Sequence, residues 1–160
     1  MTDPFHGVLV GCGDAKLDKP AEARELYTSN YFQLKRRYAE RYGDLWYVVS
    51  AEHGLLAPDT TVEPYDTSLD ALSPSERREW MRGVAEELHD VHLENDVNHW
   101  TVLAGGEYLR ALDRITSAVK IIDSYAPTAG MQIGERMQWL SAEIDGKDGA
   151  KVVAADGGSR

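Results

Sequence analysis

Four apolar runs set the frame for this 160-residue chain. "GVLVGCG" from Gly7, "LWYVVSA" from Leu45, "HWTVLAGG" from His99 and "AVKIIDSYAP" from Ala118 each hold consecutive apolar residues and then stop at small or turn-forming ones. None alternates apolar with polar, so each suits a strand covered on both faces, the mark of a mostly parallel sheet. Helical spacing fills the intervals. "SNYFQLKRRYAERYG" puts Tyr31, Leu34, Tyr38 and Tyr42 on one side between a Ser29 cap and Gly43. "SPSERREWMRGVAEELHDVHL" opens with Ser73 as N-cap, Pro74 at the first helical position and Glu76 completing a capping box, with Trp80, Val84, Leu88 and Val91 as its apolar stripe. "GEYLRALD" and "GMQIGERMQWLSAEI" predict two more helices, the last turning Met131, Met137 or Gly134, and Leu140 inward. The alternation predicts an α/β, three-layer fold, a mostly parallel sheet of four or more strands with helices on both faces. Residues 1–145 are expected to form one domain, and the Gly- and Asp-rich 146–160 a flexible tail or edge segment.

Charge and cysteine content narrow the function classes. The net charge is -10, from 27 acidic and 17 basic residues. Sequence-independent nucleic-acid binding needs clustered Lys and Arg, which such a chain supplies poorly. An acidic exterior of this kind also suits a halophile, because high salt screens its self-repulsion. Cys12 is the only cysteine, which rules out an internal disulfide and leads to the expectation of a cytoplasmic protein. No run approaches the roughly 18 apolar residues of a membrane span, and "MTDPFHGVLV" lacks a signal peptide's basic region, so no membrane role is expected.

In open parallel sheets ligands bind beyond the carboxyl ends of the strands. Here those positions are Gly11 to Lys16, Ser50 to Asp66, Gly105 to Tyr108 and Ser124 to Gly130. "GCGDAK" fits neither a P-loop nor a dinucleotide fingerprint, and Ser50 lacks the preceding glycine of a nucleophile elbow. His89 and His92 have no third ligand at compatible spacing, so the sequence calls for no metal, and nothing in it requires an organic cofactor. Cys12 reads either as a thiolate held by helix amides or as a small buried hydrophobe. Lys16 suits an anionic substrate group, or a surface bridge to Asp14 or Asp18. His53, between Glu52 and Gly54, can move a proton near neutral pH or simply satisfy its loop. Pro64, Tyr65 and Asp66 combine a fixed turn, a flat amphipathic ring and a carboxylate, although Asp66 also suits an Asx turn. The "KRR" run at Lys35 to Arg37 is either a solvated helix face or, with Lys16 and Arg24, part of a basic strip.

"GCGDAKLDKPAEARELYTSNYF", "WYVVSAEHGLLAPDTTVEPYD" and "PTAGMQIGERMQWL" together resemble a family of small domains of unknown function from archaea, bacteria and phages. The middle segment, in which SAxHGL, a proline and PYD follow a strand, is also similar, more distantly, to the peroxide-stress DNA-binding protein family and to a domain of archaeal enzymes that modify a tRNA base. The resemblance implies a nucleotide or nucleic-acid ligand and an enzyme acting at an N-glycosidic bond or modified base. The alternative is a non-catalytic nucleotide- or DNA-binding module of stress or defence. In the enzyme reading Asp66, His53 and Lys16 are the catalytic candidates. Gly11, Cys12, Gly13, Tyr27, Ser50, Glu52, Tyr65, Gly105, Gly106 and Tyr108 are the substrate-binding ones, with Tyr27 or Tyr65 stacking on a base and the glycine amides holding phosphate. The family pattern often has Lys after the glycine turn, where this chain has Asp14, with the lysine at Lys16.

Overall fold

The computed structural model describes residues 5–119 and 123–153, from 147 onward as backbone alone. In chain order its elements are β1 (Phe5–Gly11), β2 (Ala21–Glu22), α1 (Ala23–Leu26), α2 (Asn30–Tyr42), β3 (Leu45–Ser50), β4 (Gly54–Leu56), β5 (Thr61–Val62), α3 (Pro74–Asn95), β6 (Val97–Leu103), α4 (Gly106–Ala118), β7 (Asp123–Tyr125) and α5 (Ile133–Val153), with a short 3-10 turn at Leu69–Ala71. The central sheet runs β4-β3-β1-β6-β7. Its β1, β3, β6 and β7 are parallel, and β4 lies antiparallel on the edge. This is the α/β, mostly parallel arrangement of four or more strands that the uninterrupted apolar runs predict, with β4 as a fifth strand that none of the four runs marked.

The pleat sorts the core into two layers. Val8 and Val10 of β1 meet Phe32 and Leu34 of α2 and Leu140 and Ile144 of α5. Leu9, between them, points the other way, onto Val84 and Leu88 of α3 and Leu112 and Ile115 of α4. Burying each such side chain contributes about 1.5–3 kcal/mol, so both faces of β1 must be apolar, and the strand cannot alternate. Trp80, expected on the α3 stripe, packs at its margin, while Val84, Leu88 and Val91 are buried.

Cap chemistry sets the helix starts. Ser29 accepts the amide of Phe32 through its side chain, and Ser73 and Glu76 make the reciprocal pair of a capping box. Ser73→Ala is therefore expected to cost about 1 kcal/mol, read as a fall in the urea midpoint; an unchanged midpoint would mean that the start of α3 frays without cost.

Several sequence boundaries move. The segment after Ser50 is not one loop, because the chain turns at once and Gly54 to Leu56 pair back on β3. Gly54 makes that turn with φ +72, a conformation that favours glycine. Ala118 ends α4 rather than opening a strand, and only Asp123–Tyr125 of the fourth run is described as strand, since 120–122 lie outside the described residues. Met131 precedes α5, so Leu140 and Ile144 form its buried side. The expected boundary at 145 falls inside α5, and of the expected tail, 154–160 lie outside the described residues.

Strand order then locates a crevice. From β1 the chain reaches β3 on one side through α2, and from β3 it crosses to β6 on the other side through α3. The carboxyl ends of β1 and β6 thus face connections that leave in opposite directions, the switch point at which open sheets bind ligands.

Candidate functional site

Ser50 closes β3 and is fully buried. Its Oγ accepts the backbone amides of Glu52 and His53, both at 3.1 Å. With both acceptor positions used, its own proton goes to the Tyr65 hydroxyl at 2.7 Å. Tyr65 in turn shares a 2.5 Å hydrogen bond with the Tyr27 hydroxyl. Beside this chain, the Tyr108 hydroxyl accepts the Ala51 amide at 2.9 Å and the Cys12 thiol at 3.3 Å. Burial raises the phenol pKa of Tyr27, Tyr65 and Tyr108 above the ordinary value, so all three are neutral at neutral pH and keep a proton to donate.

Two further groups close on Tyr65. The Lys16 ammonium sits 4.5 Å from its ring centre, and the His53 ring meets it edge-on at 5.3 Å. Lys16 also donates to the Asp14 carbonyl at 3.2 Å, so the surface bridge to a carboxylate does not form. Cys12 is half-buried with its thiol committed to Tyr108, rather than being a core hydrophobe. Glu52 is exposed and accepts a hydrogen bond from the Thr67 hydroxyl. Asp66 is exposed too, and among the described residues its carboxylate has no hydrogen-bond or ion-pair partner.

Three expectations need correction. Tyr27 is 0% exposed and tilted against Phe32, so its face cannot stack on a base. Gly13 does not start a helix; the next helix of more than one turn is α2, because residues 12–29 carry the β2 strand, α1 and a Lys16–Tyr27 bridge in between. Lys35, expected on a solvated face or in a basic strip, is only 2% exposed and donates to the Gly11 carbonyl at 2.8 Å. Arg24 and Arg36, the neighbours assigned to that strip, are neutralised by Glu22, Glu25 and Glu40.

The mouth of the sheet is electrically divided. On the β4 side Glu52, His53, Trp80, Glu86, Glu87 and Asp90 line an open hollow of about 420 Å³. Burial raises the Glu87 carboxyl above the usual range, and its Oε1 accepts the Leu55 amide at 3.0 Å. On the β6 side stand the start of α4 and the guanidinium of Arg136, which donates to the carbonyls of Met131 at 2.8 Å and Ala104 at 3.1 Å. Gly11 fits there by close approach, since a methyl group on it would stand 3.0 Å from the Ala104 side chain.

Residues 8–142 match a family described as a family of unknown function, DUF6884. The chain belongs to the DUF6884 family. Among curated proteins it is similar to the uncharacterized protein YfjM of Bacillus subtilis, 28% identical over 149 residues that span 87% of this chain and 95% of that protein. No solved structure matches the chain. The DUF6884 region takes in the Gly11 to Lys16 turn, the Ser50–Tyr65–Tyr27 chain, Tyr108 and Arg136. At this DUF6884 mouth motif reading passed over Arg136 and the Tyr31 hydroxyl, and it placed Lys35 on the surface. For Lys35 the signal was present: it lies four residues after Tyr31 and three before Tyr38, on the buried side of α2.

Proposed function

We propose that the protein is an enzyme acting on a nucleobase of a nucleotide or nucleic acid, with the base lodged at the mouth of β1 and β3. The observation that carries this reading is the convergence of Lys16 and His53, from two separate segments, on the ring of Tyr65, the residue next to Asp66. In hydrolysis of an N-glycosidic bond the C1′–N electron pair leaves with the base, and water adds to C1′ and gives up a proton to solvent, which restores the acid that protonated the base. Lys16 or His53 would protonate the leaving base, and the Asp66 carboxylate would stabilise the positive charge on the sugar. The distant likeness to base-modifying proteins supports the same ligand class. The scattering of Arg24, Lys35 and Arg36 into ion pairs and core supports a small nucleotide over a polymer.

The test is mass spectrometry of released bases after incubating the protein with nucleotides and with modified and unmodified DNA and RNA, at low and high salt, since the acidic exterior suits a saline cytoplasm. Asp66→Asn is expected to lower turnover by about 10²-fold or more, with binding nearly unchanged. Retained turnover would remove Asp66 from the mechanism. A second reading, a binding module without catalysis, is favoured by one observation: Asp66 and His53 are both exposed, with neither placed by a hydrogen bond to its side chain among the described residues. Ligand binding with no released product, in wild type and variant alike, would establish it.

A further inference from the structure

We propose that Arg136, the Tyr31 hydroxyl and the first amides of α4 form a subsite for the phosphoryl group of a mononucleotide, with the Lys35 ammonium as a positioning charge behind it. This rests on the nucleotide reading above and adds where the ligand's anionic end sits. Three independent features meet at Gly105. The start of α4 has no side-chain cap, and its Gly106 and Glu107 amides precede the first helical hydrogen bonds, which run from Tyr108 and Leu109 to the Gly105 carbonyl. The Glu107 carboxylate, which could have served those amides, is held away by Arg77 at 2.9 Å and Arg110 at 3.0 Å. A methyl group at Gly105 would stand 2.6 Å from Arg136 Nη1 and 4.0 Å from the Tyr31 hydroxyl, so the guanidinium packs directly on the bare face of that glycine with the phenol beside it. The Tyr31 hydroxyl is buried and, among the described residues, has no hydrogen-bond partner. A buried hydroxyl left so is costly, and a phosphoryl oxygen would satisfy it.

The charges point the same way. Lys35 lies 4.1 Å from the centre of the Tyr31 ring, and its ammonium feels Arg136 as a repelling neighbour. Among the described residues neither cation pairs with a carboxylate; their acceptors are the carbonyls of Gly11, Met131 and Ala104. Two like charges held together without a counter-ion form a field that a dianion relieves. The acidic hollow beside His53 repels the same group, which fixes the nucleotide's direction, base toward Tyr65 and phosphate toward Arg136.

The groups facing Lys35 are Cys12, Tyr31 and Arg136. Burial lowers its pKa to about 7, with Cys12 opposing the shift and Arg136 adding to it. Since an anion favours the charged form, binding of an anion of constant charge should weaken as pH rises through about 7. Calorimetric titration at pH 6 is expected to show 5′-monophosphates of the four common nucleosides binding the wild type about tenfold or more tightly than the nucleosides. Lys35→Met and Arg136→Gln are expected to close most of that gap. Low-millimolar sulfate, whose charge is constant from pH 6 to 8, should raise the wild-type melting temperature at the lower pH and not at the higher, and should leave Lys35→Met unmoved. Lys35→Met exchanges a buried charge for an apolar chain of similar length, and its own melting curve verifies that it folds. Equal affinity for nucleoside and nucleotide, or a gap that survives both substitutions, overturns the subsite while leaving base recognition standing. Sulfate sensitivity that vanishes in Lys35→Met, with no nucleotide bound, sustains the anion site and overturns the nucleotide reading. Binding of oligonucleotides without mononucleotides overturns the assignment to a mononucleotide.

Discussion

Replacing Trp100 with alanine is expected to lower the free energy of unfolding by about 3–5 kcal/mol, the largest stability effect of any single change considered for this fold. Trp100 is fully buried in the middle of β6 and heads the buried side chains by size. Its ring lies over Gly7 on β1, where a methyl group would stand 2.5 Å from the indole, and beside Tyr47 of β3 at 6.4 Å. One side chain therefore spans the width of three adjacent strands on the α3 and α4 face. Neighbours on rigid strands cannot collapse into the space an alanine leaves, which places the cost in the upper range. The indole N–H is buried and, among the described residues, has no hydrogen-bond partner, so Trp100→Phe should lose much less, removing that unsatisfied donor as it removes volume. Urea titrations of the two variants decide this; a loss below about 1 kcal/mol for the alanine would contradict the packing described.

The second large effect is expected at Ser50. Ser50→Ala deletes one oxygen that serves the amides of Glu52 and His53 and the hydroxyl of Tyr65. Each buried group left without a partner costs about 1–3 kcal/mol, so a total near 3 kcal/mol is expected after the turn relaxes. Trp80 donates to the Ser50 carbonyl and not to its side chain, so α3 should stay docked. Hydrogen exchange separates the two consequences. The amides of residues 52 and 53 should exchange much faster, while β1 and β6 keep their protection. The base-directed activity proposed above should fall with them, since His53 and Tyr65 lose the atom that holds them at one place. Unchanged exchange at those amides would show that Ser50 does not organise the turn.

What sequence reasoning could reach follows from the range of the interactions involved. The β1, β3 and β6 runs and the Ser73 cap depend on residues within a few positions of one another, and they read directly. The gathering of Cys12, Ser50, Tyr65 and Tyr108 was legible through one topological rule, that strand ends share a mouth. The antiparallel return at β4 was not, because "GLL" is too short to show any period. Lys35 was misplaced because a charge run suggests solvent, whereas its ammonium is accommodated by a carbonyl from β1 and the ring of Tyr31. Arg136 contacts Ala104 from 32 positions away, and no local pattern marks such a tie.

The small ribbon of β2 and β5 has a consequence for inheritance. Ala21 and Glu22 pair with Val62 and Thr61, and Ala23 and Arg24 donate to the carbonyls of Thr60 and Pro58. The insert that carries Lys16 and Tyr27 is thereby stitched to the return path that carries Tyr65 and Asp66. Neither wall can be exchanged alone: a chimera that borrows residues 12–29 from a relative should regain wild-type stability only when 57–66 come from the same donor.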